Sequence, residues 1–350
     1  MRLIDLDCEG PITKNDNALE LSEHFIPQGG HFFAVISRYD DFLAEVAKRE
    51  GYRAGNTLKL ILPFLKAYGA TNQKMKDYSA DNLLLVPGAD QTLEEIRSLM
   101  PCFIISTSYE QYINALCDRL DFPKDSVYCT RLDLDEYGIS QEDTERLRKL
   151  AQEIIKMPMP EFSGIKEEKD IGREARNVID RLDEIFGQVI PPMECGKILE
   201  EVNPIGGHQK AKAVMDSLSK IGSELSEVIY VGDSITDVQA LELVRENGGI
   251  AISFNGNRYA LKSAQIACIS EHTFPLFILA RAFRGEGREG VLRLVRNWPH
   301  SLDRSSVQKL ITLSYLPCVE IIGEHNIVQL IEESERMRKE VRGKEVGGLG

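Results

Sequence analysis

Two acidic side chains stand at the end of a short apolar run near the start of the chain. The run passes directly into a turn, in the sequence Arg2-Leu-Ile-Asp-Leu-Asp7-Cys-Glu9-Gly10-Pro11. A carboxylate at the carboxyl end of a strand can attack phosphorus, and a second acid two residues later can carry protons. Asp7 is therefore a candidate nucleophile and Glu9 a candidate acid and base. Acids and glycine after a strand are also common in ordinary turns, so this run alone does not establish chemistry.

A second acidic pair follows another apolar run later in the chain. The residues Val228-Ile-Tyr-Val-Gly232-Asp233-Ser-Ile-Thr-Asp237 indicate a strand that ends at Asp233 and a helix that begins near Asp237. Gly232 permits the tight turn between them. Two carboxylates that converge at a sheet edge suit Mg²⁺, a hard cation that takes few protein carboxylates together with waters and phosphate. The alternative is that Asp237 only complements the dipole of its helix.

Hydroxyls and lysines supply candidate phosphate ligands. An apolar run from Phe103 ends in Ser106, Thr107 and Ser108, which predicts a strand whose tip binds a phosphoryl oxygen by hydroxyl and backbone N–H. The same hydroxyls could instead cap the helix that follows. Lys210 and Lys212 open a predicted helix, where the helix dipole disfavours a cation. That placement indicates a partner anion, although exposed lysines are common.

Taken in their order along the chain, these four motifs resemble those of the haloacid dehalogenase (HAD) superfamily. Its motifs are D-x-D-G-T, a strand ending in Ser or Thr, a Lys, and G-D-x-x-x-D, all at strand tips. They stand here as Asp7-Cys-Glu9-Gly10-Pro11, Ser106, Lys210 and Gly232-Asp233-x-x-x-Asp237. The spacing of Lys210 from the last motif is similar to that of the phosphoserine-phosphatase branch, with Lys212 as the alternative. Asn255 resembles a polar residue that follows the fifth strand in that branch.

The resemblance implies a role for each of these residues. Asp7 would attack phosphorus to form an aspartyl-phosphate, and Glu9 would protonate the leaving group and then activate water. The phosphoryl group would be bound by Ser106, Thr107 and Lys210. The metal ligands would be Asp7, Asp233 and the backbone carbonyl of Glu9, with Asp237 binding the metal or orienting its waters. Clustered acids repel one another without a divalent ion, so Mg²⁺ is the expected cofactor.

Two departures from the family pattern affect this interpretation. The second acid is Glu9 where the family usually has Asp, and a displacement near 1 Å can cost about a hundredfold in rate. Pro11 replaces the usual Thr and removes a hydroxyl. Either the site is spaced to suit Glu, or turnover is weak. Pairing Asp5 with Asp7 would restore two aspartates but would lose the glycine in register.

The apolar pattern predicts an α/β fold with a doubly wound, mainly parallel sheet of Rossmann-like HAD type. Short β-rich runs read as strands buried on both faces, and helical patterns fall between several of them. The predicted strands are Arg2 to Asp7, Cys102 to Ser106, Val127 to Cys129, Val228 to Val231, Ile250 to Phe254 and Ile266 to Ile269. Ligands in such sheets bind beyond the carboxyl ends of the strands.

Two stretches interrupt this alternation and are interpreted as insertions. The predicted organisation is a core strand in 1–13, a helical cap in 14–86, core in 87–138, a charged helical insertion in 139–190, core with C-terminal helices in 191–334 and a disordered tail in 335–350. Caps exclude water and supply substrate selectivity. Candidate contacts on the cap are His24, His31, Arg38 and Arg53, although surface roles are common for such residues.

Composition narrows the class of protein. A net charge of −13 argues against a broad surface for nucleic acid, but not against a small phosphorylated substrate. Seven scattered cysteines without a C-x-x-C pair are expected to be free thiols in a reducing compartment. No run resembles a signal peptide or approaches the roughly 20 apolar residues that span a bilayer. A cytoplasmic protein without membrane insertion is expected.

The expected function is a Mg²⁺-dependent phosphatase that acts on a small phosphorylated metabolite. A mutase would use the same residues. The chain also resembles archaeal HAD-like proteins with a D-C-E-G-P motif that are labelled as accessory subunits of energy-converting hydrogenases. That resemblance implies an alternative, a scaffold in a larger complex with little turnover. A protein partner would then bind through residues 139–190 or the C-terminal tail.

Overall fold

Short runs of β-branched and aliphatic residues form the strands, because both faces of the sheet are covered by helices. The computed structural model describes residues 1–50, 52, 54–162, 164–165, 167–344 and 346–348. Its strands are β1 (Leu3–Leu6), β2 (Cys102–Tyr109), β3 (Val127–Thr130), β4 (Val228–Gly232), β5 (Ile250–Phe254), β6 (Ile266–Ile269) and β7 (Cys318–Ile321). All six predicted strands are confirmed.

The strands form a seven-stranded sheet in the order β3-β2-β1-β4-β5-β6-β7. Strands β1 to β6 pair in parallel, and β7 pairs antiparallel with β6. The chain runs outward from β1 in one direction through β2 and β3, and in the other through β4 and β5. This reversal at β1 and β4 is the topological switch point where open α/β sheets bind ligands. The predicted doubly wound, mainly parallel fold is confirmed.

Helices cover both faces of the sheet and form a separate layer above its carboxyl edge. They are α1 (Asn17–Phe25), α2 (Gly29–Asp41), α3 (Thr57–Ala67), α4 (Asn72–Asn82), α5 (Ala89–Leu99), α6 (Glu110–Leu120), α7 (Gln141–Ile155), α8 (Arg173–Glu184), α9 (Ile198–Glu201), α10 (His208–Ile221), α11 (Val238–Glu246), α12 (Arg258–Ser263), α13 (Phe274–Arg296), α14 (Arg304–Leu310) and α15 (Ile327–Arg342). Apolar side chains of α5, α6 and α13 pack on one face of the sheet. Those of α10, α11 and α12 pack on the other.

The two predicted insertions share one apolar core. Side chains of α1 to α4 and of α7 to α9 belong to the same buried cluster, in which Tyr39 stacks on Phe186 with ring centroids 5.8 Å apart. The shared core extends to Cys195, Ile198 and Val202, so it continues beyond the predicted boundary at residue 190. We refer to α1–α4 together with α7–α9 as the cap layer. The apolar face of the second insertion is thus used within the chain, and a protein partner on its charged face stays a prediction.

The expectation of a disordered tail from residue 335 is wrong for most of that segment. Helix α15 continues to Arg342, and Leu330 and Met337 pack against apolar residues beside β6. The buried side chain of Ser334 donates a hydrogen bond to the Gly256 carbonyl at 2.7 Å. Charged side chains dominate the segment, but a few buried contacts and two arginines described below order it. Glu345, Leu349 and Gly350 lie outside the described residues.

Within the described ranges, no helix combines the length and the apolar character that crossing a membrane requires.

Candidate functional site

The carboxyl ends of β1, β2 and β4 bring the predicted site residues to one edge of the sheet. Asp7 directly follows β1, Asp233 directly follows β4, and Ser106 lies in β2 just past the residues that pair with β1. Lys210 lies in the first turn of α10. The parallel register of β1 with β2 and β4 fixes these positions relative to one another. Residues far apart in sequence therefore meet where the switch point leaves a crevice.

Lys210 joins two of the candidate carboxylates. Its Nζ lies 2.6 Å from Asp7 Oδ2 and 2.7 Å from Asp237 Oδ1, and its side chain is fully buried. Burial alone would lower the pKa of the Lys210 ammonium, but the carboxylates of Asp237 and Asp7 outweigh it and hold the pKa above its ordinary value. Lys210 is thus a fixed cation beside Asp7. The alternative, Lys212, is exposed to solvent.

Asp237 is fully engaged by hydrogen bonds. Its Oδ1 also accepts from the Tyr230 hydroxyl at 2.7 Å, and its Oδ2 accepts from the backbone N–H groups of Asp233 and Ser234, each at 3.0 Å. Burial opposes ionisation, but contact with Lys210 and these donors keeps the pKa of Asp237 below its ordinary value. Gly232 is required here, because a Cβ on it would lie 2.5 Å from the Asp237 carboxyl carbon. Asp237 therefore fixes Lys210 and the β4 turn, which makes it a poor direct ligand for a metal.

The surroundings of Asp7 disfavour the ionised form of its carboxyl group unless a cation lies nearby. Burial and the neighbouring Asp237 carboxylate raise the pKa of Asp7, and Lys210 opposes that rise. The Asp7 Oδ1 accepts a hydrogen bond from the Cys8 N–H at 2.7 Å, which fixes the carboxylate. Asp5 faces the core instead, where its Oδ2 accepts from the Ser217 hydroxyl at 2.8 Å. The alternative pairing of Asp5 with Asp7 is therefore not supported, because the two side chains do not face the same site.

Glu9 is hydrogen-bonded to the first residue of the cap layer. Its Oε1 accepts from the backbone N–H of Asn17, the first residue of α1, at 2.9 Å. Burial, and after it the nearby Asp16 carboxylate, raise the pKa of Glu9 to about 8, against the opposing effect of Arg342. Gly10 has a φ of +105°, and a Cβ on it would lie 2.2 Å from Asp233 Oδ2. The glycine thus lets the β1 turn approach Asp233, and Glu9 is set up to carry a proton at neutral pH.

This raised pKa predicts how stability depends on pH. Folding raises the pKa of Glu9 from 4.5 to about 8, so between those values the folded chain binds more protons than the unfolded chain. The Glu9 contribution to the free energy of unfolding should therefore be full below pH 4.5 and be lost as the pH rises to about 8. Glu9→Gln should flatten that part of the profile. Chemical denaturation of both proteins across this range measures it, and identical profiles would show that Glu9 is not held protonated.

The hydroxyls at the end of β2 line the cavity and do not cap the next helix. The N-cap of α6 is Tyr109, without a side-chain hydrogen bond. Ser106 Oγ accepts from the Ser108 N–H at 3.1 Å and is almost fully buried, and Thr107 Oγ1 lies 3.5 Å from Thr236 Oγ1. Ser106 and Thr107 both face the same cavity as Asp7. The structure therefore has both hydroxyls at the predicted site, while their binding of phosphate stays a prediction.

Asn255 has a structural role in this geometry. Its Nδ2 donates to the Ser270 carbonyl at 2.6 Å, and its Oδ1 accepts from the Ser270 N–H at 2.9 Å. Its φ of +46° lies in the left-handed region that asparagine tolerates better than most residues. It therefore ties the end of β5 to the loop after β6, and it is not among the described residues that line the cavity.

Two arginines that sequence analysis assigned to a disordered tail reach the centre of the site. The Nη1 of Arg338 contacts Asp233 Oδ2 and lies 3.3 Å from the Asp233 carbonyl oxygen. The Nη1 of Arg342 lies 3.1 Å from the same Asp233 Oδ2. Both side chains and Asp233 itself are at least 95% buried. Arginines four residues apart share one face of a helix, but the sequence alone does not show what that face contacts.

A cavity of about 130 Å³ lies between the strand ends and the cap layer. Its floor includes Asp7, Glu9 and the hydroxyls of β2, and its roof includes Phe33, Ser37 and Leu58. Of the predicted cap contacts, His24, His31 and Arg38 are not among the described residues that line it, and Arg53 lies outside the described residues. His31 instead contacts the Met157 carbonyl at 3.1 Å, within the cap layer.

The acidic residues of the site offer oxygen ligands in a small volume. One carboxylate oxygen each from Asp7, Asp233 and Asp237 lie within 4.8 Å of one another, and all three residues are buried. An all-oxygen donor set suits a hard divalent cation such as Mg²⁺. The donor chemistry fits the predicted cofactor, with Asp7 and Asp233 as the better-placed carboxylates. The arginine pair on Asp233 is the feature that a metal would have to accommodate.

Comparisons with known proteins define what this chain is similar to. No family model and no curated protein matches it. Among solved structures, a gene product from Archaeoglobus fulgidus is 29% identical and matches with a TM-score of 0.81 over 100% of this chain and 99% of its own. The whole fold, cap layer included, thus recurs in that archaeal protein.

Two further structures show weaker likeness. A substrate-bound phosphoserine phosphatase complex is 12% identical, with a TM-score of 0.48 over 79% of this chain and 97% of its own. A HAD family hydrolase from Salmonella enterica serovar Typhi is 11% identical, with a TM-score of 0.45 over 79% of this chain and 69% of its own. Neither likeness is strong enough to assign an activity to this chain.

Proposed function

We propose that this chain is a Mg²⁺-dependent phosphatase of HAD type that acts on a small phosphorylated metabolite through an aspartyl-phosphate on Asp7. The observation that carries the proposal is the buried contact of Lys210 with both Asp7 and Asp237 at the switch point of the sheet. A nucleophilic carboxylate beside a fixed cation, with further carboxylates for a metal, is what phosphoryl transfer requires. The order of these residues along the chain agrees with the HAD resemblance.

In the proposed reaction, a carboxylate oxygen of Asp7 forms a bond to phosphorus while the bond from phosphorus to the leaving oxygen breaks. Glu9 donates its proton to that leaving oxygen, which its raised pKa favours at neutral pH. A water molecule then attacks phosphorus while the bond from phosphorus to the Asp7 oxygen breaks, and Glu9 takes a proton from that water. Inorganic phosphate leaves, and both carboxyl groups return to their starting states.

The negative charge on the phosphoryl oxygens would be neutralised by groups that are already held in place before the substrate binds. Lys210 and the hydroxyls of Ser106 and Thr107 would bind these oxygens from the sheet side. Mg²⁺, held by the carboxylates of Asp7 and Asp233 and the Glu9 carbonyl, would supply further positive charge. Asp237 would act through Lys210 and so would serve as a positioning residue. Fixed donors of this kind need no rearrangement as charge develops.

With the cap layer in this position, the size of the cavity limits which substrates can reach Asp7. About 130 Å³ of it is open to the centre of a water-sized sphere. This space lies directly beside Asp7 and Glu9 and below the cap-layer residues Phe33, Ser37 and Leu58. The proposal therefore favours small phosphomonoesters, or a cap layer that moves when a larger substrate binds.

Hydrolysis of a generic aryl phosphate should depend on Mg²⁺ and be lost on chelation. The carboxylates of the site offer only oxygen ligands, which hold a phosphate poorly unless a cation lies between them. The measurement is release of nitrophenolate by the pure protein with Mg²⁺, with excess chelator, and after Mg²⁺ is restored. Full activity in excess chelator would exclude the metal from the reaction. A screen of phosphorylated metabolites under the Mg²⁺ condition would then identify the substrate.

A further inference from the structure

The three central carboxylates of the site are each matched by a cation of the chain itself. Lys210 contacts Asp7 and Asp237, and two guanidinium groups contact Asp233. Charges buried to this degree are tolerated only when they are paired. The charges of these three carboxylates are therefore offset by three cationic side chains, and α15 supplies the two that contact Asp233.

A divalent cation at Asp233 would compete with the two arginines for the Asp233 carboxylate. Arg338 and Arg342 both use the Oδ2 atom of Asp233, the carboxylate that a metal would also need. Like charges repel strongly where water is excluded, so a cation with two positive charges and two guanidinium groups cannot all crowd one carboxylate at low energy. The arginines therefore oppose metal binding at this carboxylate.

Helix α15 is anchored in a way that lets its last turn shift while the rest stays in place. Leu330 packs in the apolar cluster beside β6, and Ser334 bonds to the Gly256 carbonyl. Met337 packs in the same cluster, so Arg338 comes directly after the last of these anchors and Arg342 ends the helix. Fraying of a terminal helical turn is a low-energy motion compared with loss of a packed helix.

The same turn is tied to the segment that leads into the cap layer. Arg342 donates from Nε to the Lys14 carbonyl at 3.1 Å and from Nη2 to the Asn15 carbonyl. Two residues further on, the Asn17 N–H donates to Glu9. Movement of Arg342 would release the backbone that joins the Asp7 turn to α1.

We propose that Arg338 and Arg342 are built-in counter-cations of Asp233 that compete with the divalent metal, so that metal binding displaces the last turn of α15. This inference rests on the proposed Mg²⁺ site at Asp233. It assigns the arginines a positioning role: without metal they hold the Asp233 carboxylate in place, and Arg342 connects it to the segment that leads into the cap layer.

The test is Mg²⁺ binding by isothermal titration calorimetry on the full chain without substrate. Arg338→Gln and Arg342→Gln each remove one competing charge, and Arg336→Gln is the matched control, because Arg336 lies on the same helix with its side chain 71% exposed. Both site variants should bind Mg²⁺ about tenfold more tightly than wild type, within the range typical of coupled sites. The control should match wild type.

Hydrogen exchange on the wild-type protein gives a second readout that needs no substitution. Saturation with Mg²⁺ should increase amide exchange in the last turn of α15 and leave exchange near Leu330 unchanged. Measurable Mg²⁺ binding that is equal or weaker in both folded variants, or unaltered exchange in α15, would overturn the inference while leaving the proposed phosphatase intact. Absence of Mg²⁺ binding in wild type and all variants would overturn both. If the variants do not fold, the exchange result decides.

Discussion

Asp7→Asn is expected to reduce turnover by on the order of a thousandfold or more. Removal of the nucleophile from other covalent enzymes costs up to about 10⁶-fold, and an amide of the same shape is a poor nucleophile. The fold should persist, because the amide oxygen can still accept from the Cys8 N–H and Lys210 keeps its contact with Asp237. The measurement is steady-state hydrolysis of an aryl phosphate with Mg²⁺, alongside a thermal unfolding curve.

Asp5→Asn is the matched control for this variant. Asp5 lies in β1 two residues before Asp7, is also buried and bonds to Ser217 in the core, so its loss tests general disturbance of β1. Burial raises the pKa of Asp5 well above its ordinary value, and a neutral amide should therefore replace it at little cost. Asp5→Asn should retain most of the activity. An Asp7→Asn protein that keeps more than a few per cent of the rate would exclude the covalent mechanism.

Glu9→Gln is expected to slow turnover by on the order of a hundred to ten thousand fold, the usual contribution of general acid–base catalysis. The amide cannot donate a proton to the leaving oxygen or accept one from water. A good leaving group such as nitrophenolate needs little protonation, so it should rescue the first step and leave hydrolysis of the phosphoenzyme slow. Rapid mixing should then show a burst of nitrophenolate followed by a slow steady state. A Glu9→Gln protein as fast as wild type on a poor leaving group would remove Glu9 from the mechanism.

Glu9→Asp tests whether the site is spaced for the longer side chain. In the structure the Glu9 carboxyl reaches the N–H of Asn17 at the start of α1. Shortening the side chain should withdraw the carboxyl from that donor, and the rate should fall. An increase in rate would instead indicate that Glu9 lowers the rate relative to Asp, as expected for a scaffold protein derived from an enzyme.

Sequence analysis predicted the sheet and the strand-tip residues well, because both depend on local patterns. Buried parallel strands appear as short apolar runs, and the residues that follow them must lie at one edge. Strand β7 was missed, since Cys318–Ile321 is short and its burial is incomplete, so its apolar pattern is weak. The placement of Lys210 beside Asp7 followed from family spacing and was not derivable from the lysine alone.

The rest of the site depends on contacts between distant segments. The Arg338 and Arg342 contacts with Asp233 form only when α15 packs beside β6, which no local pattern in a charged segment reveals. The shared core of the two insertions is likewise a tertiary outcome, because each amphipathic helix shows that it has an apolar face and not what covers it. Asn255 was chosen by family analogy, and its contacts with Ser270 give it a structural role.

The central claim is that Asp7 accepts the phosphoryl group, and trapping that group tests it most directly. Glu9→Gln protein would be mixed with nitrophenyl phosphate and Mg²⁺, quenched in acid during the burst and digested for mass spectrometry, with the Asp7→Asn, Glu9→Gln double variant as control. We expect one phosphoryl group on the peptide that contains Asp7 and none in the control. Hydrolysis with no phosphoryl group on Asp7, or with the group on another residue, would contradict the account.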